Sequence, residues 1–183
     1  MSEELVIRSC APTLASLKTG NLFHCRCDSR QELYDSVREL NRRLRHKGLR
    51  VLPMRYWDGE GLVYVYRPQK LDKDLGHETA CKLLKDRGYP CGNAHGCVCC
   101  LQKRLNAQKD FPHEIGLLLG YPPEDVDGFI HRKGEAKCGG LWKVYGDVEK
   151  AQRTFARYRK CTSVYLKKWA DGRDMERLTV KCQ

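Results

Sequence analysis

Cysteine is the residue that offers chemistry in this chain, with eleven copies among 183 residues. A reducing cytosol keeps such sulfurs as free thiols, suited to metal binding, redox exchange or nucleophilic attack, or serving simply as apolar filler. An odd number cannot pair completely within one chain. The start, Met1-Ser2-Glu3-Glu4-Leu5, has neither the basic stretch nor the apolar run of an export signal, so a cytoplasmic location is expected.

Two groups of sulfurs stand out. The denser is Cys97-Val98-Cys99-Cys100, which follows Gly96 and precedes the basic stretch Leu101-Gln102-Lys103-Arg104. On a helix that begins there, Cys97 and Cys100 share one face close to unsatisfied backbone N–H groups, which favour thiolate. Such a pair is suited to disulfide exchange or to a metal. Tetrahedral zinc needs further ligands, and Cys91, His95, Cys25 and Cys27 are the candidates. One reading is therefore a zinc or iron-sulfur module held by Cys91, Cys97, Cys99 and Cys100 with His95; incidental thiols are the bland alternative.

Cys10 is the other candidate. Ser9 is placed to cap a short helix with Pro12 in its first turn, which puts Cys10 at a helix N-terminus, where a thiol is expected to ionise more easily, as a nucleophile requires. His113, in Phe111-Pro112-His113-Glu114 at the start of another helix, is the leading base. Glu114 points about 100° away from it on a helix and is expected instead to stabilise the helix dipole. The competing reading of Cys10 is a small residue packed under the sheet.

Two tempting motifs fail. His113-Glu114 opens like the zinc-protease helix, but position 117 is leucine. Residues 114–126 have the glycine and apolar spacing of a helix-turn-helix, yet the would-be recognition helix carries Glu124, Asp125 and Asp127, the wrong charge for phosphates. That segment reads as a packed helical hairpin.

The elements that must position these residues follow from periodicity and turn chemistry. Ser29 and Glu32 form a capping box that opens a helix with Leu33, Val37, Leu40 and Leu44 on one stripe. Residues 49–57 and 62–67 are β-rich and flank Asp58-Gly59-Glu60-Gly61, a hairpin, with Pro53 requiring an edge position or a bulge. Tyr56, Trp57, Tyr64 and Tyr66 alternate along it and read as core rather than as a base- or flavin-stacking face. Helices are expected over about 77–87, 97–107, 113–119 and 123–130, a strand over 141–145, a helix beyond Asp147 and a last strand over 163–169. The result is one domain, 1–183, of α+β class: a single mixed, partly antiparallel sheet of about five strands with helices packed mainly on one face.

The formal net charge is +11. It suits an anionic partner, such as an acidic protein of the small electron-carrier kind, or nucleic acid. The dispersed basic residues, densest over 38–50 and 153–168, read more simply as solvated helix faces. No apolar stretch is long enough to span a bilayer, so no membrane association is expected.

Several blocks also resemble a known family. They are Cys10-Ala11-Pro12-Thr13-Leu14-Ala15-Ser16-Leu17-Lys18, Phe111 to Gly116 through Gly120 to Val126, Trp142-Lys143-Val144-Tyr145-Gly146-Asp147, and Arg157-Tyr158-Arg159-Lys160-Cys161. In these the chain resembles the bacterial domain of unknown function numbered thirty-seven ninety-three, found mostly in anaerobes. The resemblance carries over no catalytic residue. It places Cys10, His113, Glu114 and Cys161 within the shared blocks and leaves the Cys97–Cys100 cluster outside them, and an anaerobic host would tolerate exposed thiols. The leading expectation is a thiol-dependent redox accessory or thiol enzyme using Cys10 with His113.

Overall fold

Three antiparallel strands, β1 (Gly20–Arg26), β2 (Arg50–Trp57) and β3 (Glu60–Tyr66), form a sheet in the order β1-β3-β2. The computed structural model describes residues 1–107 and 111–181. The hairpin turns at Asp58 and Gly59, both at positive φ (42° and 80°), the combination that a two-residue hairpin of matching twist demands. Central β3 is covered on both faces, which accounts for its unbroken apolar run Leu62-Val63-Tyr64-Val65-Tyr66. Pro53 lies on edge strand β2 beside a register shift, where its missing N–H does no harm. Tyr64 and Tyr66 stack at 4.7 Å and are buried, as core residues.

The chain divides into two compact units, one of Met1–Gln69 with Tyr158 onward, the other Lys70–Arg157. In the first unit, α1 (Glu3–Leu14) and α2 (Arg30–Leu44) bury Val6, Ile7, Cys10 and Leu14, and Leu33, Val37, Leu40 and Leu44, against Phe23, Cys25, Val63 and Val65 of the sheet. The capping box forms: Ser29 Oγ accepts from the Glu32 N–H at 3.1 Å, and Glu32 Oε2 accepts from the Asp28 N–H at 2.6 Å. Arg67 is fully buried. Its guanidinium donates to four main-chain carbonyls, those of Thr13, Leu14, Lys47 and Val180, at 2.7 to 3.1 Å. It thereby holds the end of α1, the turn after α2 and the C-terminal segment together.

The second unit contains α4 (Glu78–Asp86), α5 (Ala94–Ala107), α6 (Ile115–Leu118), α7 (Pro123–His131) and a two-stranded ladder, β4 (Cys138–Gly139) with β5 (Lys143–Val144). It is entered through α3 (Pro68–Leu75) and left through α8 (Val148–Ala170), whose later half belongs to the first unit with α9 (Met175–Leu178). A Cβ on Gly116 would lie 2.8 Å from Val126, so glycine lets α6 and α7 meet as the expected helical hairpin.

Three expectations are corrected. The strands form a three-stranded sheet and a separate two-stranded ladder, not one five-stranded sheet. Residues 163–169 are the last turns of α8, where Ala151, Phe155, Tyr158, Cys161 and Tyr165 recur at helical spacing; that period outweighs the β-forming character of Val164 and Tyr165. Finally, α1 begins at Glu3 behind an Ser2 cap, and Pro12 sits inside its last turn rather than in its first. No helix among the described residues is long and apolar enough to cross a membrane.

Candidate thiol–disulfide site

The correction to α1 reaches the chemistry. Cys10 is eight residues into the helix, not at its N-terminus, and is completely buried. Burial pushes its thiol up to about 12, against a smaller lowering influence from Lys18, the reverse of the activation expected of a nucleophile. Cys10 belongs to the first unit and His113 to the second. His113 is exposed and meets the Phe129 ring edge-on at 5.0 Å. Cys161, on the later half of α8, is also pushed up by burial, to about 11. Cys25 is raised to about 11 by burial and then by Cys27, whose own thiol is raised chiefly by burial.

The sulfurs of the second unit are arranged differently. Helix α4 ends after Asp86, and the turn through Gly88, at φ 73°, reverses the chain so that Cys91 returns to Cys81. The two are disulfide-bonded with Cα atoms 5.8 Å apart, within the range that a disulfide bridges. Cys91 is exposed and Cys81 half-buried. Next to them is a cavity of about 310 Å³ whose walls include Cys81, Cys91, Asp72, Pro90, Asn93 and Cys97. Cys97 is a buried free thiol that donates to the Pro90 carbonyl at 3.1 Å; burial, followed by the neighbouring Cys100, raises its pKa.

One turn along α5, the Arg104 guanidinium lies beside the Cys100 sulfur. Arg104 also donates to the Arg87 carbonyl, lies over the Tyr89 ring at 4.6 Å and approaches the buried Glu114 carboxylate at 3.4 Å. The Tyr89 hydroxyl donates to the same carboxylate at 2.9 Å and is held well above the usual phenol range, by burial first and by Glu114 second. Glu114 thus faces inward and ties the Gly88–Pro90 turn to α5 and α6, instead of serving as the exposed first-turn carboxylate that sequence suggests.

The five residues of the metal reading are separated. Cys91 is bonded to Cys81, Cys97 faces Pro90, Cys100 faces Arg104, and the remaining pair, His95 and Cys99, stand 3.7 Å apart on the exposed side of α5. Among the described residues no three His, Cys, Asp or Glu side chains gather in a way that could hold a metal ion. Sequence reasoning passed over Cys81, Tyr89 and Arg104. The readable signal was the turn Gly88-Tyr89-Pro90 between two cysteines ten residues apart.

The fold and this site describe a cysteine-rich α+β protein. Residues 6–179 match the model of the family described as Protein of unknown function (DUF3793), and the chain belongs to that family. No curated protein and no solved structure matches it.

Proposed function

We propose that the protein is a thiol–disulfide redox accessory whose exchanging pair is Cys81 and Cys91, so that the thiol chemistry expected of Cys10 belongs to the second unit. The observation that carries this reading is a disulfide with one exposed sulfur, next to a cavity that a third, free thiol also lines. In a reducing compartment such a bond is characteristically transient and catalytic or sensory.

The exchange balances without a further oxidant. A thiolate of an incoming dithiol attacks the exposed Cys91 sulfur, and the Cys81–Cys91 bond breaks with Cys81 leaving as thiolate and taking up a proton. The partner's second thiol, having lost its proton, attacks the partner's own sulfur in the mixed disulfide and releases Cys91, which is protonated in turn. Two electrons pass to the pair, and the partner ends as a disulfide. The partner is an acidic protein bearing a dithiol, drawn by the +11 charge and by Lys82 and Lys85, exposed on α4 beside the site.

Differential alkylation in glutathione buffers of graded poise, read by mass spectrometry, tests the proposal. Cys81 and Cys91 should change state together and reversibly while the protein remains folded. A pair that stays reduced at every poise, or that oxidises only after unfolding, refutes it.

A further inference from the structure

The second unit also contains a larger cleft, of about 660 Å³, that the thiol chemistry leaves unused. This volume falls in the range of small-molecule sites. Its walls come from two of the segments that carry the family resemblance, residues 111–126 and 142–147, closed by α7 and the β4–β5 ladder.

Four aromatic rings face the space, those of Phe111, Tyr121, Phe129 and Trp142. The Trp142 wall is fixed in advance. Its indole N–H donates to Asp125 Oδ2 at 2.7 Å, the ring stacks on Tyr121 at 4.8 Å, and the Phe155 ring stands nearly perpendicular to it with centroids 4.5 Å apart. Asp125 is buried and accepts at its other oxygen from the Tyr145 and Gly146 N–H groups, at 2.7 and 2.8 Å. Its charge is therefore taken up by the clamp, not turned toward the cleft. Gly139 and Gly140 contribute bare backbone, and a Cβ on Gly140 would overlap Phe155.

The mouth combines apolar and cationic character. Phe111 and Leu141 are large apolar side chains left 49% and 43% exposed, the kind of surface a monomer keeps for a ligand. Lys143 and His113, both exposed, stand at the same cleft. Rigid aromatic walls select a flat ring, since stacking on a pre-set indole costs little ordering. An ammonium and an imidazole at the rim select an anionic substituent.

From this geometry we infer that the cleft binds a small, flat fused-ring anion, with its ring against Trp142 and Phe129 and its charged group toward Lys143 and His113. The inference stands apart from the thiol reading, because none of these residues belongs to the Cys81–Cys91 site.

The test titrates the full-length protein with 8-anilinonaphthalene-1-sulfonate and with its uncharged parent, N-phenyl-1-naphthylamine, following probe fluorescence and backbone amide shifts. The sulfonate should bind saturably at one site, with shifts confined to the cleft. Lys143→Glu should weaken the sulfonate by about tenfold or more and the uncharged probe by less than about twofold. Leu141→Asp, at an exposed position that leaves the core intact, should weaken both. Absence of saturable binding to the wild-type protein, shifts centred outside the cleft, or equal effects of Lys143→Glu on the two probes would each overturn the inference.

Discussion

Replacing Cys81 and Cys91 together by alanine removes a crosslink around a loop of ten residues. In the chain-entropy description, closing a loop of that size removes about 9 cal/mol/K from the unfolded ensemble, equivalent to about 2.7 kcal/mol at 25 °C. The folded state should lose little besides. The Tyr89 hydroxyl remains bonded to Glu114, Arg104 remains over its ring, and the Cys97 thiol still holds the Pro90 carbonyl, so the turn keeps its place without the sulfur bridge. The effect therefore resides almost wholly in the unfolded chain. The assay is urea unfolding of the oxidised wild type beside the double variant, with hydrogen exchange at the α5 amides reporting the second unit. A loss of about 2.7 kcal/mol is expected, with a larger dependence on urea because the uncrosslinked chain exposes more surface. Reduction of the wild type should reproduce both changes. A difference below about 0.5 kcal/mol would mean that the bond does not restrict the unfolded chain, and the entropy argument would fall with it.

Arg67→Met removes the guanidinium from the carbonyls of Thr13, Leu14, Lys47 and Val180, of which Thr13 and Leu14 keep a main-chain N–H, from Ser16 and Val180, and chemical denaturation should register a loss of about 3 kcal/mol. Cys10, pushed up to about 12 from 9.0, should react with iodoacetamide at pH 8 about a thousandfold more slowly than an ordinary thiol, a rate that peptide mapping measures directly. Stability should also follow the Lys18–Cys10 neighbourhood through alkaline pH. Burial lowers Lys18 from 10.5 to about 8, so between those values the unfolded chain holds more protons and stability rises with pH. Cys10 acts oppositely above pH 9, where the unfolded thiol ionises first. Denaturation midpoints should climb from about pH 8 to 9, level off to about 10.5 and then fall, and Lys18→Met should abolish the climb.

Local chemistry was readable wherever a short segment supplied its own partner. Asp58-Gly59 dictates a left-handed two-residue turn, and with it the pairing of β2 with β3. Ser29 and Glu32 satisfy the first amides of α2, and the stripe from Leu33 to Leu44 fixes which face is buried. The glycine and apolar spacing of residues 114–126 announced the packed hairpin of α6 and α7, in which Gly116 lies against Val126. The failures arose where two local signals competed. Pro12 favours a first turn, yet the Ser2 cap with Glu3 and Glu4 behind it moved the start of α1 seven residues upstream of the position read from Ser9 and left Pro12 inside the helix. Val164 and Tyr165 favour a strand in isolation, yet the apolar period beginning at Ala151 runs through them as helix.

By itself the sequence determined that this protein carries abundant thiols, a strong positive charge and a β-hairpin beside amphipathic helices, because composition and near-neighbour patterning are properties of the chain. Which sulfurs are buried and which stay accessible was decided by tertiary structure. Burial acts on each thiol through the low dielectric of neighbours brought from distant positions, raising Cys10 and Cys161 however favourable their local motifs look. The same folding brought Tyr89 to Arg104 and Glu114 and arrayed four aromatic rings around one cleft. Proximity across the fold is a long-range property, and no window of neighbouring residues contains it.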